Sequence, residues 1–238
     1  MILLALDTCD PRGSLALLRD EEVVRESSHE TQEDYSSWLL PAVARLLQGC
    51  GLAIEQVDVY GVTTGPGSFT GVRVGLTTVK AWSEVYLRQI AAVSRLEAIA
   101  AHAEPTAGLV AAFTDAHREQ IFGALYRRKE QKLELVDEEM VIEPGKFVEW
   151  VAERTGKEPV TWVSTDPDRM THQEEWVARD RKGERLQRVS PILAPAIGKI
   201  GFTMAKEGRL IDAVRLDANY VRRSDAEIFW KGDTTHAR

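Results

Sequence analysis

The sequence has 238 residues, of which 44% are hydrophobic and 28% are charged, and this composition is typical of a globular protein that buries its own core. A formal net charge of −7 argues against a protein that binds nucleic acid through a basic surface of its own. Cys9 and Cys50 form no disulfide framework or metal motif. The apolar N-terminus predicts a strand rather than a signal peptide, no apolar stretch is long enough to span a membrane, and we expect a cytoplasmic protein.

The first half of the chain predicts a strand meander followed by a βαβ unit. Short apolar runs between polar breaks indicate antiparallel strands, and apolar residues at helical spacing indicate amphipathic helices. Ser68 or Thr70 is expected to cap the longest helix. The predicted elements are strands at 2–8, 13–19 and 22–28, a helix at about 33–48, a strand at 57–65, a helix at 68–88, a strand at 89–94 and a helix at about 95–104.

The second half repeats this order less regularly, which indicates a duplicated α/β fold. Its predicted elements are strands at 108–116, 119–128 and 132–142, a helix at 144–156, a strand at 159–165 and a helix at about 191–207. The charged stretch 166–188 gives no prediction.

The duplication predicts a two-lobed molecule. We expect an N-terminal lobe at 1–105, a smaller C-terminal lobe at 106–222 whose last helix packs back on the first lobe, and a tail at 223–238. Two such lobes around a cleft, each similar to ribonuclease H, are typical of the actin/Hsp70/sugar-kinase superfamily.

The most unusual stretch is GPGSFTGVRVGL, residues 65–76. Glycines before a helix can direct backbone N–H groups at a phosphate, and Ser68 and Thr70 could add hydroxyl donors. However, Val72 stands where a Walker A loop has lysine, and Thr70 stands where a dinucleotide-binding loop has its last glycine. The phosphate signal is weak, and the other interpretation is a loop that lets the next helix pack closely on its neighbour.

The helix after this stretch carries more apolar surface than one covered face requires. We expect one apolar stripe to cover the sheet and a second stripe to meet a partner, with the preceding helix, as half of an intermolecular four-helix bundle. The alternative is that the second lobe buries both stripes. The first stripe is Phe69, Val72, Leu76 and Val79, and the second is Val74, Thr78, Ala81 and Val85.

Five segments of the sequence resemble the TsaB family, also called YeaZ. They are LALDTC, SSWLLPAVARLL, GPGSFTGVRVGL, DAHREQIFGALY and YVRRSDAE. The resemblance implies a two-lobed α/β fold with a reduced second lobe. It also implies a non-catalytic scaffold in the synthesis of threonylcarbamoyladenosine beside the tRNA anticodon.

The resemblance further implies specific partners. A TsaD-like catalytic subunit would bind the helices at about 33–48 and 68–88, and a TsaE-like ATPase would join near the lobe junction. The protein alone would form a homodimer, and its contact with tRNA would be indirect. By this resemblance the partner interface contains Tyr35, Trp38, Leu39, Phe69, Thr70, Val74, Thr78, Ala81 and Val85.

The sequence carries few signs of catalysis. None of its five histidines forms an HxxxH pair, so we expect no metal site. His117 lies near Asp115 and suggests acid–base work, but no nucleophile in a recognisable motif accompanies it. Nucleotide hydrolysis in the superfamily uses a glycine-bearing phosphate turn in each lobe, and the turn in FTDAHREQ has no glycine.

We therefore expect no cofactor beyond a weak adenine-nucleotide contact at a partner interface. That residual contact would involve Asp7, Thr8, Gly67, Ser68 and Asp115. One alternative is a small-molecule kinase or nucleotide-binding protein of the same superfamily, which would need a second phosphate clamp. The other is a peptidase, which would need a metal pair or a nucleophile with its base.

Overall fold

A computed structural model describes residues 1–29, 34–130, 132–180 and 183–222. The first of its two mixed sheets, sheet A, is built from the N-terminal strands. The strands are β1 (Ile2–Asp7), β2 (Ser14–Arg19), β3 (Glu22–Ser28), β4 (Val59–Thr63) and β5 (Gln89–Val93). They lie in the order β3-β2-β1-β4-β5, with β1, β2 and β3 antiparallel and β4 parallel to both β1 and β5.

Sheet B repeats this topology in the second half of the chain. Its strands are β6 (Leu109–Asp115), β7 (Ile121–Lys129), β8 (Lys132–Leu135), β9 (Met140–Ile142), β10 (Val160–Ser164) and β11 (Arg185–Arg188). The order β11-β10-β6-β7-β8, with β9 also on β7, matches that of sheet A. The duplication expected from the sequence is thus present, and the predicted strand at 132–142 is two strands.

Seven α-helices lie around the sheets in the described residues. They are α1 (Tyr35–Gln48), α2 (Phe69–Tyr86), α3 (Arg95–Ala100), α4 (Pro144–Thr155), α5 (Asp168–Thr171), α6 (Glu174–Asp180) and α7 (Ala194–Lys206). The apolar stripes of α1 and α2 pack on the outer face of sheet A, and α4 and α6 pack on the outer face of sheet B.

Two further helices, α3 and α7, lie between the sheets and are exchanged between the halves. α3 follows sheet A in sequence but packs on β6, β7 and β10, whereas α7 follows sheet B but packs on β1, β2, β4 and β5. Leu96 and Ile99 of α3 and Ile197 of α7 are fully buried there. This exchange makes one continuous core between the sheets.

After α7 the chain returns along the molecule as a C-terminal strap, residues 208–222. Ile211 forms a β-bridge with Ile90 of β5, and the Asn219 backbone N–H donates to Thr64 O at 2.8 Å. The predicted tail at 223–238 lies outside the described residues, and the lobe boundaries at 105 and 222 stay predictions. None of the described helices combines the length and the apolarity needed to cross a bilayer.

Helix ends follow the local chemistry. The Ser68 hydroxyl accepts a hydrogen bond from the Gly71 N–H at 3.3 Å and caps α2, so Thr70 lies inside the helix. After α1, Gly51 has the left-handed conformation (φ 66°), whereas Gly49 does not (φ −64°). The charged stretch 166–188, which carries no predicted element, contains α5, α6 and β11.

Candidate functional site

Two glycines of the GPGSFTG loop, Gly67 and Gly71, face the loop after β1 in the same chain. A side chain on Gly71 would overlap the Thr8 carbonyl oxygen, and one on Gly67 would overlap that of Cys9. The Ser68 N–H donates to Cys9 O at 2.7 Å, and the Thr8 hydroxyl donates to Gly71 O at 2.7 Å. These contacts support the packing interpretation, because glycine is needed wherever two backbones approach this closely.

The end of β1 and the loop after it bring two carboxylates to the cleft between the sheets. Asp7 is fully buried, and its Oδ1 accepts hydrogen bonds from the Cys9 N–H at 2.9 Å and the Thr63 hydroxyl at 2.7 Å. Arg95, the first residue of α3, reaches this pair from the opposite side. Its Nη2 lies 2.8 Å from Asp10 Oδ2, and its Nε lies 3.7 Å from Asp7 Oδ2.

Groups from sheet B close the other side of the cleft. Arg95 Nη1 donates to the Thr114 hydroxyl at 3.3 Å, and that hydroxyl donates to Asp166 Oδ2 at 3.0 Å. Arg12 spans the cleft, with Nε 3.1 Å from Asp10 Oδ1 and Nη2 3.1 Å from Asp166 Oδ1. The cleft is therefore occupied by paired charged side chains of the protein itself.

This network sets the charge of its carboxylates. Burial by itself raises the pKa of Asp10, but the guanidinium groups of Arg95 and Arg12 more than offset it and hold the pKa below its usual value. The pKa of Asp166 is also lowered, because hydrogen bonds from Thr165 and Thr114 and the charge of Arg12 outweigh burial. Both groups are thus held as carboxylates.

The turn after β6 forms the mouth of the cleft. Asp115 Oδ2 lies 2.7 Å from Arg169 Nη2 and 3.4 Å from His117 Nδ1. His117, Arg118 and Glu119 have φ values of 59°, 53° and 60°, so three residues adopt the left-handed conformation without glycine.

The residues of the predicted nucleotide contact are mostly engaged within the chain, and that contact stays a prediction. Asp7 and Thr8 are 0% and 1% exposed, and both bind groups of their own chain rather than an open pocket. Gly67 is half-buried against Cys9, Ser68 caps α2, and Asp115 is paired with Arg169. The expected contacts therefore do not converge on open space.

A second feature is an open groove of about 520 Å³ between α1 and α2. Val85, Leu40 and Phe69 on these helices are 70%, 55% and 39% exposed. The groove is lined by Tyr35, Ser36, Leu39, Leu40, Phe69, Thr70, Arg73, Val74, Thr77 and Thr78. The second apolar stripe of α2 thus faces away from sheet A. In this stripe Val74 and Thr78 are half-buried, and Ala81 and Val85 are exposed.

Two predicted interface residues are almost fully buried within the chain. Trp38 is 5% exposed and Leu39 is 1% exposed, and both belong to the core between α1 and sheet A. The assignment of both residues to a partner interface stays a prediction, but Trp38 faces sheet A and Leu39 reaches only the floor of the groove. The reason is that the stripe of α1 containing them is the one that covers the sheet. Tyr35 lines the groove, while its hydroxyl accepts from the Gly13 N–H at 2.7 Å and donates to Asp10 O.

Three residues at these sites were missed by sequence reasoning. Arg73 stacks over Phe69 at 3.6 Å from the ring centroid, and its Nε donates to the Tyr220 hydroxyl at 3.0 Å. Tyr220 was within reach of prediction because it belongs to the YVRRSDAE segment. Arg95 carries no signal of its own, since its side-chain partners come from two distant parts of the chain.

Two observations bear on the peptidase alternative. Among the described residues, no group of three or more His, Cys, Asp or Glu side chains is arranged to hold a metal ion. Burial raises the pKa of the Cys9 thiol, and this opposes formation of the thiolate needed for nucleophilic attack.

Two sheets of one repeated topology, exchanged central helices and a cleft between the sheets define a two-lobed α/β protein of the actin/Hsp70/sugar-kinase superfamily. ROK hexokinase from Thermus thermophilus has a similar fold, with a TM-score of 0.52 at 11% identity over 85% of this chain and 98% of that one. YeaZ from Pseudomonas aeruginosa has a TM-score of 0.73 at 27% identity, covering 92% of this chain and 99% of that one.

Sequence comparison narrows the class to a family. A protein of Bacillus subtilis described as "tRNA threonylcarbamoyladenosine biosynthesis protein TsaB" is 32% identical over 97% of this chain and 98% of its own length. A family model described as "TsaD: tRNA N6-adenosine threonylcarbamoyltransferase" matches residues 23–164. The chain belongs to the TsaB (YeaZ) family.

Proposed function

We propose that this protein acts in tRNA threonylcarbamoyladenosine biosynthesis as a non-catalytic scaffold for a TsaD-like catalytic subunit. The observation that carries the proposal is the groove between α1 and α2, an exposed apolar surface in a chain related to TsaB over its whole length. The match of residues 23–164 to the TsaD family model supports a partner of related fold, because related subunits can pack through equivalent surfaces.

The surface suits a helix pair as its occupant. Val74 and Leu40 offer apolar contact on facing helices, and the arrangement matches one half of a four-helix bundle. Arg73 stands at the rim, fixed by Phe69 and Tyr220, and can pair with a carboxylate of the partner. A second copy of this chain would use the same surface, so a homodimer would compete with the TsaD-like subunit.

The filled cleft supports the non-catalytic part of the proposal. Arg95 and Arg12 neutralise the carboxylates that face it, and Asp7 and Thr8 are not accessible to a nucleotide. Recruitment of a TsaE-like ATPase near the lobe junction, indirect contact with tRNA and a cytoplasmic location belong to the same proposal.

The groove is tested by charge substitution. Val74→Glu and Leu40→Glu are expected to weaken binding of a TsaD-like subunit by roughly tenfold to a hundredfold, because each buries a carboxylate in an apolar contact. Val214→Glu is the matched control, since Val214 is 86% exposed but lies on the strap. Binding is measured by isothermal titration, and circular dichroism confirms that each variant is folded.

Unchanged binding by both folded groove variants would contradict the proposed surface. The kinase alternative has a separate test, in which the purified chain is titrated with ATP and Mg²⁺ in the presence of small-molecule acceptors. Turnover by the isolated chain would overturn the non-catalytic role, whereas loss of groove binding alone would leave that role untouched.

A further inference from the structure

We propose that the guanidinium group of Arg95 occupies a cation-binding site between the two sheets and thereby keeps other cations out of it. The site is formed by the carboxylates of Asp7 and Asp10 and the hydroxyl of Thr114. It concerns the interior of the molecule and is independent of partner binding. Without the arginine side chain, the same oxygens would bind an external guanidinium ion or a hard divalent cation such as Mg²⁺ or Ca²⁺.

The first argument is the burial of both charges. The side chain of Arg95 is 2% exposed and that of Asp7 is 0% exposed. Asp7 Oδ2 and Arg95 Nε are buried at 3.7 Å from each other, and neither atom has a hydrogen-bond partner among the described residues. Asp7 Oδ2 thus lies near the guanidinium group without a hydrogen bond to it. The pocket therefore holds the cation through charge attraction rather than through a bidentate pair of hydrogen bonds.

The second argument is the balance of charge. Asp7, Asp10 and Asp166 supply three carboxylates, while Arg95 and Arg12 supply two guanidinium groups. Loss of Arg95 would leave three negative charges against the single positive charge of Arg12, which is 46% exposed at the rim. Buried carboxylates without a counter-ion are costly, and carboxylate and hydroxyl oxygens are the donors that hard cations prefer.

The third argument is that the backbone around Arg95 is held independently of its side chain. The Arg95 N–H donates to Gly65 O at 2.7 Å. The Ser94 hydroxyl caps α3 by accepting from the N–H groups of Leu96 at 3.1 Å and Glu97 at 3.4 Å. Removal of the side chain therefore opens the pocket and leaves the path of the chain in place.

The test is a cation rescue of Arg95→Ala. The variant is expected to melt several degrees below the parent protein in chelator, and millimolar MgCl2, CaCl2 or guanidinium chloride should raise its Tm, because binding to the folded state alone is stabilising. NaCl at matched ionic strength should not raise it. The parent protein and Arg95→Lys, which keeps a cation in the pocket, should show no such response.

The double variant Arg95→Ala with Asp10→Asn is the matched control and should lose the rescue. The proposal is overturned if Arg95→Ala responds no more than the parent protein, or if the double variant responds equally. Should Arg95→Ala fail to fold, Arg95→Met keeps the aliphatic packing and carries the same expectation. If neither Arg95→Ala nor Arg95→Met folds, Arg95→Lys should still fold because it keeps a positive charge in the pocket. An Arg95→Lys variant as unstable as these two would also overturn the proposal.

Discussion

Glu97 shows how burial controls the charge of a single side chain. It lies on α3, and burial raises its pKa to about 7 from an ordinary value of 4.5. The charge of Arg209 opposes this shift, and the charge of Glu139 adds to it. Since the folded protein holds the proton more tightly than the unfolded chain, stability falls as pH rises from about 4.5 to about 7, and it stays low above that range.

Glu97→Gln should remove this pH dependence. At pH 8 the variant is expected to be more stable than the parent protein by up to about 3 kcal/mol, a figure that follows from 1.4 kcal/mol per pKa unit, whereas near pH 4.5 the two should agree. Urea denaturation at both pH values measures the difference. Glu104→Gln, on the exposed end of the same segment, is the control, and equal pH profiles for Glu97→Gln and the parent protein would contradict the buried charge.

Among the elements, α7 depends on a cap from a strand that is distant in sequence. The Ser14 hydroxyl on β2 accepts hydrogen bonds from the N–H groups of Leu193 at 3.1 Å and Ala194 at 3.0 Å. No side chain near the helix start serves as its cap within the described residues. A residue of sheet A therefore fixes the start of the helix that covers sheet A.

Ser14→Ala should destabilise the protein by about 1–2 kcal/mol, because two buried N–H groups lose their acceptor. For a chain of this size, that is a fall in Tm of roughly 2–8 °C. Differential scanning calorimetry measures it. Ser190→Ala, which removes an exposed hydroxyl that accepts from the Ile192 N–H, should change Tm much less, and equal effects of both variants would count against the long-range cap.

The elements also show what the sequence could predict. Long periodic segments such as α2 were placed within one or two residues, because an apolar stripe and a Ser68 cap are local signals. α5, α6 and β11 are short and charged and carry no such signal. Trp38 packs against sheet A, a detail beyond sequence reasoning because periodicity identifies a stripe but not the surface that it covers. Arg95 was missed because its partners meet only in the folded chain.

At the scale of the whole molecule, the C-terminal strap joins the two halves. Asn219 is bonded to the first half through Thr64 and to the second through Glu139, whose Oε2 accepts from Asn219 Nδ2 at 2.6 Å. Burial raises the pKa of Glu139. Arg222 then donates to Ala116 O at 2.7 Å, next to the turn at the cleft mouth.

Asn219→Ala should destabilise the protein by about 1.5–3 kcal/mol, since a largely buried carboxyl group loses a donor. Thermal unfolding gives the stability, and limited proteolysis reports release of the strap. Val214→Ala, on the exposed side of the strap, should match the parent protein in both measurements. A strap that is no more sensitive to protease in Asn219→Ala than in Val214→Ala would contradict this account.

The exchange of α3 and α7 has a consequence for synthesis of the protein. The inner face of sheet A is covered by α7, which begins only at Ala194. A nascent chain therefore cannot complete the folding of its first half until the second half has been synthesised. Until then Leu3 and Leu18, which are fully buried in the finished molecule, are without their helix cover. Translation pauses late in the message should therefore favour aggregation or chaperone capture, whereas early pauses should not.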